Sequence, residues 1–232
     1  MARLLLALPT IDVNARNNDG GTPLHIAAMY NEHEALECLL AMPNIDVNAR
    51  DNSFSTPLIS AVCGDDTLPA IQRLIAVPHI DVNAADTSGR TALHHAAMYD
   101  DRLDALECLV RAPNVDVNAR CYVTGETPLH AAVRRGNLDA TRCLLATPNV
   151  DANARCYSRG ELRPLNLAVL NENLDAIPCL FAAPNFDLSA NIFTGGDESL
   201  YDAARRADPR CVREALMGQV AAAARGRNQR AP

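Results

Sequence analysis

The sequence predicts an all-α-dominated solenoid in which stacked helix-turn-helix repeats are joined by β-hairpin-like loops. Three observations predict it. The phrase AMPNIDVNAR at 41–50 is rewritten as AVPHIDVNAA at 76–85, RAPNVDVNAR at 111–120 and ATPNVDANAR at 146–155, with ALPTIDVNAR at 7–16 and a decayed AAPNFDLSAN at 182–191. Its aspartates, Asp12, Asp46, Asp81, Asp116, Asp151 and Asp187, are separated by 34, 35, 35, 35 and 36 residues. Between these phrases a second motif recurs as GTPLHIAA at 21–28, STPLISAV at 55–62, RTALHHAA at 90–97 and ETPLHAAV at 126–133, with a weaker LRPLNLAV at 162–169 and a trace, ESLYDAA, at 198–204. A period of this size marks supersecondary units that bury their apolar faces only by stacking.

Each element has a mechanical reason. Thr22 is placed to cap a helix by accepting a first-turn backbone N–H. Pro23 follows at the first helical position, where its missing N–H costs nothing. Leu24, Ala27 and Ala28 fall at i, i+3 and i+4 and form one buried stripe. A short loop leads to a second helix, EALECLLAM at 34–42, with Ala35, Leu36, Leu39 and Leu40 at helical spacing. Pro43-Asn44 ends it, because the residue before proline is disfavoured in a helix and Asn tolerates the left-handed conformation. The chain then runs extended through Ile45-Asp46-Val47-Asn48 and turns into the next Thr-Pro through a polar loop that bears Gly in other copies.

Thr-Pro-Leu-His-x-Ala-Ala, a Leu-Leu helix and Asp-Val-Asn-Ala together resemble the ankyrin repeat. The resemblance runs from about Leu4 to about Leu216, as five good copies and a degenerate sixth. It gives a solenoid over 1–216: a partial N-terminal helix at 1–9, repeats at about 10–44, 45–79, 80–114, 115–149 and 150–185, a C-terminal cap at 186–216, and an Arg-rich tail at 217–232 expected to be disordered. Pro-Asn stands where the family commonly places Gly. Repeats two and three carry one more residue between their helices, 17 from Thr56 to Arg73 and from Thr91 to Cys108 against 16 from Thr22 to Cys38. Phe54 replaces the hairpin Gly, so that turn should be strained or differently shaped. Pro178 falls inside a second helix and should kink it or delete a hydrogen bond, making the C-terminal third the less stable end.

Composition narrows the function. The formal net charge of −7 argues against a nucleic-acid-binding body, although residues 205–232 hold seven Arg against two acids. No stretch of about 20 apolar residues is present to cross a membrane. All 21 basic residues are Arg. A Lys-free chain suits a protein working beside a ubiquitin ligase or delivered into a eukaryotic cell, although genomic codon bias produces the same composition. Cys38, Cys108, Cys143 and Cys179 occupy one equivalent, buried helix position. Helices stack about 8–10 Å apart and disulfides need Cα atoms within about 7 Å, so a ladder of equivalent cysteines does not pair. With no CxxC or CxxxH spacing, no zinc site is expected, and a reducing, cytoplasmic compartment fits. The resemblance gives His25, His94 and His130 a structural role linking backbone and loop groups. Asp46 and its equivalents recur in every repeat, as structural residues do, whereas an active site occurs once. No phosphate loop or nucleophile elbow exists, so no enzyme, catalytic residue, metal, cofactor or small-molecule substrate is expected.

The resemblance implies that first helices and hairpin tips line a continuous concave surface, and repeat solenoids bind proteins across such surfaces. The residues that vary between copies are the informative ones, because the fold does not dictate them. They are Met29, Tyr30, Phe54, Met98, Tyr99, Tyr122, Arg134, Arg135, Tyr157, Arg159 and Phe193. Tyr and Arg are over-represented in binding hot spots. The expected function is a protein-interaction scaffold or adaptor, including a pathogen or viral protein acting on host proteins. The alternative is the recognition region of a larger enzyme or ubiquitin-ligase adaptor. Self-association through an uncapped N-terminal end and, from the family resemblance, hydroxylation of Asn48 or Asn118 are further expectations.

Overall fold

The computed structural model describes residues 11–157 and 161–187. The expected N-terminal helix, Arg159, Phe193, nearly all of the cap and the tail lie outside the described residues. The chain forms two compact units, Met1–Val123 and Thr124–Pro232.

The first unit contains α1 (Pro23–Met29), α2 (His33–Leu40), α3 (Pro57–Cys63), α4 (Leu68–Ile75), α5 (Ala92–Ala97), a 3₁₀ turn (Asp100–Arg102) and α6 (Leu103–Val110). The second contains α7 (Pro128–Arg135), α8 (Leu138–Ala146), α9 (Pro164–Leu170) and α10 (Ala176–Ala182). Helices of six to nine residues are too short to persist alone, so packing must hold them. Within the first unit, α1 packs on α3 and α3 on α5, while α4 packs on α6. Within the second, α7 packs on α9 and α8 on α10. Leu24, Leu36, Leu58, Ile71, Leu74, Leu93, Leu106 and Leu109 are fully buried in the first core; Leu129, Leu144, Leu165, Ile177 and Leu180 are in the second. The alanine stripes let first helices approach closely: Ala28, Ala61, Ala96 and Ala97 are wholly buried. Among the described residues the hairpins are tight turns, with one isolated antiparallel bridge between Ala85 and Thr91.

The two repeating motifs form two ladders. In the first, His25 Nδ1 accepts the Thr22 backbone N–H at 3.1 Å and lies 2.9 Å from the Thr22 hydroxyl. The ring proton therefore sits on Nε2, which donates to the Ser55 carbonyl of the next repeat at 3.0 Å. In the second unit His130 binds Thr127 in the same way and reaches the Leu162 carbonyl at 3.3 Å. The Thr hydroxyl also accepts a first-turn backbone N–H, as Thr56 does from Ile59 at 3.4 Å and Thr127 from His130 at 3.5 Å, so hydroxyl and ring cap the helix reciprocally.

The second ladder runs through Asp-Val-Asn. Asp46 Oδ1 accepts the Asn48 backbone N–H at 3.1 Å and closes an Asx turn. Asn48 then reaches forward: Nδ2 donates to the His79 carbonyl at 2.8 Å, and Oδ1 accepts the Asp81 N–H at 2.8 Å. Asn14, Asn83 and Asn153 repeat both contacts on the following phrase. The valines between, Val13, Val47, Val82 and Val117, are buried.

Phe54 meets the first of its two expected outcomes, Pro178 meets its expectation only in part, and the helix-two cysteines differ from expectation. The turn at Phe54 is not differently shaped. Phe54 N–H donates to the Asp51 carbonyl and Asp51 N–H to the Ser55 carbonyl, as Gly89 and Asp86 do one repeat on. Phe54 adopts φ +61° to do so, beside +78° at Gly89, so the change is taken up as strain. Pro178 does not kink a helix; the expected loss of helical bonding takes the form of a later start. The helix begins at Ala176, so Pro178 is its third residue, within the first turn whose N–H groups have no intrahelical partner. The cost is length: α10 has seven residues where α8, with the equivalent sequence, has nine. The helix-two cysteines Cys38, Cys108, Cys143 and Cys179 are half-buried rather than fully buried, and the hairpin pair Cys121 and Cys156 are the buried ones.

Candidate protein-binding surface

The surface residues that vary between copies emerge where helix one ends and where the hairpin turns. Tyr30 is the C-cap of α1 and is 65% exposed. Tyr99, at the same register two repeats on, leaves α5 in extended conformation and is 48% exposed. Met29 beside Tyr30 is half-buried, whereas Met98 is only 7% exposed and packs inward. Met98 therefore belongs to the core, not to the surface that the sequence suggests.

The hairpin tyrosines have a double role. A Cβ added at Gly89 would lie 2.5 Å from Tyr122 Cγ, so the ring lies directly over that glycine. Gly125 and Tyr157 repeat the arrangement in the second unit. Both rings nevertheless stay largely exposed, Tyr122 at 71% and Tyr157 at 68%. One ring edge seals the preceding turn and the other side faces solvent. Phe54 is exposed at its hairpin tip, with the Arg50 guanidinium 5.6 Å from its ring centroid.

The arginines divide. Arg134 Nη2 pairs with the buried Glu126 carboxylate at 2.8 Å, which makes it a structural residue. Removing it would leave a buried charge uncompensated. Arg135 is exposed. Arg163 stands where the other copies have Thr and is buried, with its guanidinium on the Asn153 carbonyl and burial lowering its pKa. Asn166 replaces the motif histidine and accepts the Arg163 N–H at 3.0 Å. Its Nδ2 is buried without a partner, so this copy keeps the cap and forgoes the onward bond.

Among the described residues the geometry assembles no group of reactive side chains. Burial pushes the Cys108 thiol up, opposite to an activated nucleophile. Among the described residues no group of three or more His, Cys, Asp or Glu is placed to hold a metal ion. No described helix is long and apolar enough to cross a membrane. Asn48, expected as a modification site, has both amide ends engaged, so modifying it requires the ladder to open. Asn118 closes the same Asx turn on Asp116.

Some surface features escape a reading built on aromatic variation. Ile26 and Val123 are exposed apolar side chains. The turns joining helix one to helix two and the first turn of α2 carry paired acids, Glu32 and Glu34, Asp65 and Asp66, Asp100 and Asp101, all exposed. Comparing charge at equivalent turns would have found them, because Glu32, Asp66 and Asp101 share one register.

The family described as ankyrin repeats (three copies) matches residues 1–51, 45–121 and 101–192. No curated protein sequence matches. Among solved structures, the ankyrin repeat domain of Bcl-3, a member of the IκB protein family, superposes with a TM-score of 0.74. It is 25% identical, over 88% of this chain and 86% of that one. In all, 463 solved chains match, so the fold by itself selects no partner.

Proposed function

Because the chain belongs to the ankyrin repeat family, whose members are generally protein-interaction modules, we propose that it is a non-catalytic scaffold or adaptor. It binds a protein partner through exposed side chains that differ between repeats. The observation carrying this reading is the exposure of Tyr30, Tyr99, Tyr122 and Tyr157 in a fold that does not require a tyrosine at any of those registers. Tyrosine combines large contact area with few rotatable bonds, which is why it recurs in hot spots.

Site-specific photo-crosslinking tests the reading. A photoreactive residue at Tyr30 or Tyr99 should trap a discrete protein, whereas one at exposed Gln72 on α4 should not. Equal adducts at all three positions, or none at any, would contradict it.

The absence of lysine supports a finer reading, in which the module works inside a eukaryotic cell, as a host-directed pathogen or viral protein or as a ubiquitin-ligase adaptor. A variant carrying Arg73→Lys and Arg111→Lys should then turn over faster than the parent in a ubiquitinating cell extract. Equal half-lives would remove that support.

A further inference from the structure

The helix-one-to-helix-two turns of the first unit form a continuous acidic edge, and its continuity is visible in hydrogen bonds. Asn31 Nδ2 of the first turn donates to the Asp66 carbonyl of the second at 2.8 Å. Arg102 of the third turn reaches back to the second, with Nε on the Val62 carbonyl at 3.1 Å and Nη2 on Asp65 at 2.8 Å. Gly64 permits the close approach, because a Cβ there would fall 2.0 Å from the Met29 carbonyl oxygen. Gly64 also occupies the register between Tyr30 and Tyr99 and contributes no side chain there.

The charge on this edge is one-sided. Glu32, Glu34, Asp65, Asp66, Asp100 and Asp101 are all exposed. The one guanidinium among them, Arg102, is largely buried and already shared between Asp65 and Asp101. The edge therefore keeps a strong excess of negative charge around two exposed tyrosine rings. The equivalent turn after α7 carries Arg135 against Asp139, so the feature is not imposed by the repeat.

We propose that this edge docks an arginine- or lysine-rich segment of a protein partner. Carboxylates attract the cationic heads, and an exposed aromatic face beside them holds a guanidinium or ammonium through its quadrupole. The same charge repels nucleic acid and anionic lipid, which leaves a basic polypeptide as the occupant. Neighbouring first helices lie about 8–10 Å apart, which puts Tyr30 and Tyr99 on the order of 20 Å apart. An extended segment of about six residues spans that distance. The inference rests on the interaction-module reading and gives that partner a chemistry.

The test is fluorescence anisotropy on the full chain with a labelled (Arg-Ser)5 peptide, with (Glu-Ser)5 as the control. The arginine peptide should bind and the glutamate peptide should not. The Tyr30→Ala/Tyr99→Ala variant should weaken binding about tenfold. Glu32→Gln/Glu34→Gln/Asp66→Asn/Asp100→Asn, which leaves the Arg102 ion pairs intact, should weaken it further and flatten its salt dependence. Glu172→Gln/Asp175→Asn in the second unit should leave affinity within about twofold, because those charges lie outside the proposed edge. Equal losses from both acid sets, or unchanged binding in the tyrosine variant, would show diffuse charge attraction and overturn the proposal. The two readings fail separately. A photo-crosslinked partner contacting Tyr30 through an acidic or apolar segment sinks this inference alone, whereas absence of any adduct sinks the module reading.

Discussion

At the residue scale, motif histidine and motif asparagine do the joining; the family resemblance implied the histidine's role, whereas recurrence pointed to Asp46 and its equivalents and the asparagine's part appears only in the structure. A residue that appears in every copy serves what every copy shares. His25 binds its own Thr22 through Nδ1 and the next repeat through Nε2, so its two nitrogens have separable jobs. The natural Asn166 retains only the first. His25→Asn should therefore cost about 1 kcal/mol, one neutral hydrogen bond, while His25→Ala should cost about 2–3 kcal/mol by orphaning buried groups on both sides. Urea unfolding of the two variants distinguishes these outcomes, and equal losses would contradict the division of labour. Phe54 offers the reverse case. Its left-handed backbone costs about 1–2 kcal/mol, against about 0.5–1 kcal/mol of extra chain entropy for glycine. Phe54→Gly should therefore raise stability by roughly 0.5–1 kcal/mol. A loss would mean that the ring's contact with Arg50 outweighs the strain.

At the element scale, the repeating period placed the helix pairs, and the stop signals ended them. Helices α2, α4, α6, α8 and α10 all end two or three residues before a proline. What the period could not place was a helix start. LDATRCLLA and LDAIPCLFA look alike at 138–146 and 174–182, yet only the first is helical throughout. Proline at the third helical position is tolerated, so the helix slid its start to accommodate Pro178. Pro178→Ala should then change stability by less than about 0.5 kcal/mol, not by the roughly 3 kcal/mol expected for relieving a mid-helix proline. Differential scanning calorimetry on the full chain reads the difference. The inserted residue of the third repeat was likewise visible by counting, but its form, the 3₁₀ turn at Asp100–Arg102 from which Arg102 reaches back to Asp65, was not.

At the scale of the whole molecule, sequence variation located surface residues well where side chains leave the helix axis, and less well where they do not. Tyr30 and Tyr99 are exposed at helix ends, as variation suggested. Met98 and Arg134 vary just as freely but turn toward their own unit, one into the core and one onto Glu126. Variation marks freedom from the repeat, and a residue freed from the repeat can still be taken up by local packing. The acidic edge was hidden for another reason: Glu32, Asp66 and Asp101 share one register, but a search for aromatic and arginine hot spots passes over acids. Tyr122 is also a poorer probe of binding than its exposure suggests, because its ring covers Gly89 and its removal would loosen the turn. Tyr30 and Tyr99 are the cleaner pair.

The central claim is that repeating residues hold the array while varying ones recognise the partner. Its most direct test measures affinity for the photo-captured partner and melting temperature together, for Tyr30→Ala/Tyr99→Ala and for His25→Asn. The account predicts that the tyrosine variant loses at least about tenfold in affinity with its melting temperature unchanged. It predicts that the histidine variant melts earlier by several degrees, about 4–8 °C per kcal/mol for a small domain and less for a chain of this length, while binding normally below its transition. A tyrosine variant that melts early, or a histidine variant that stays folded yet fails to bind, would contradict it.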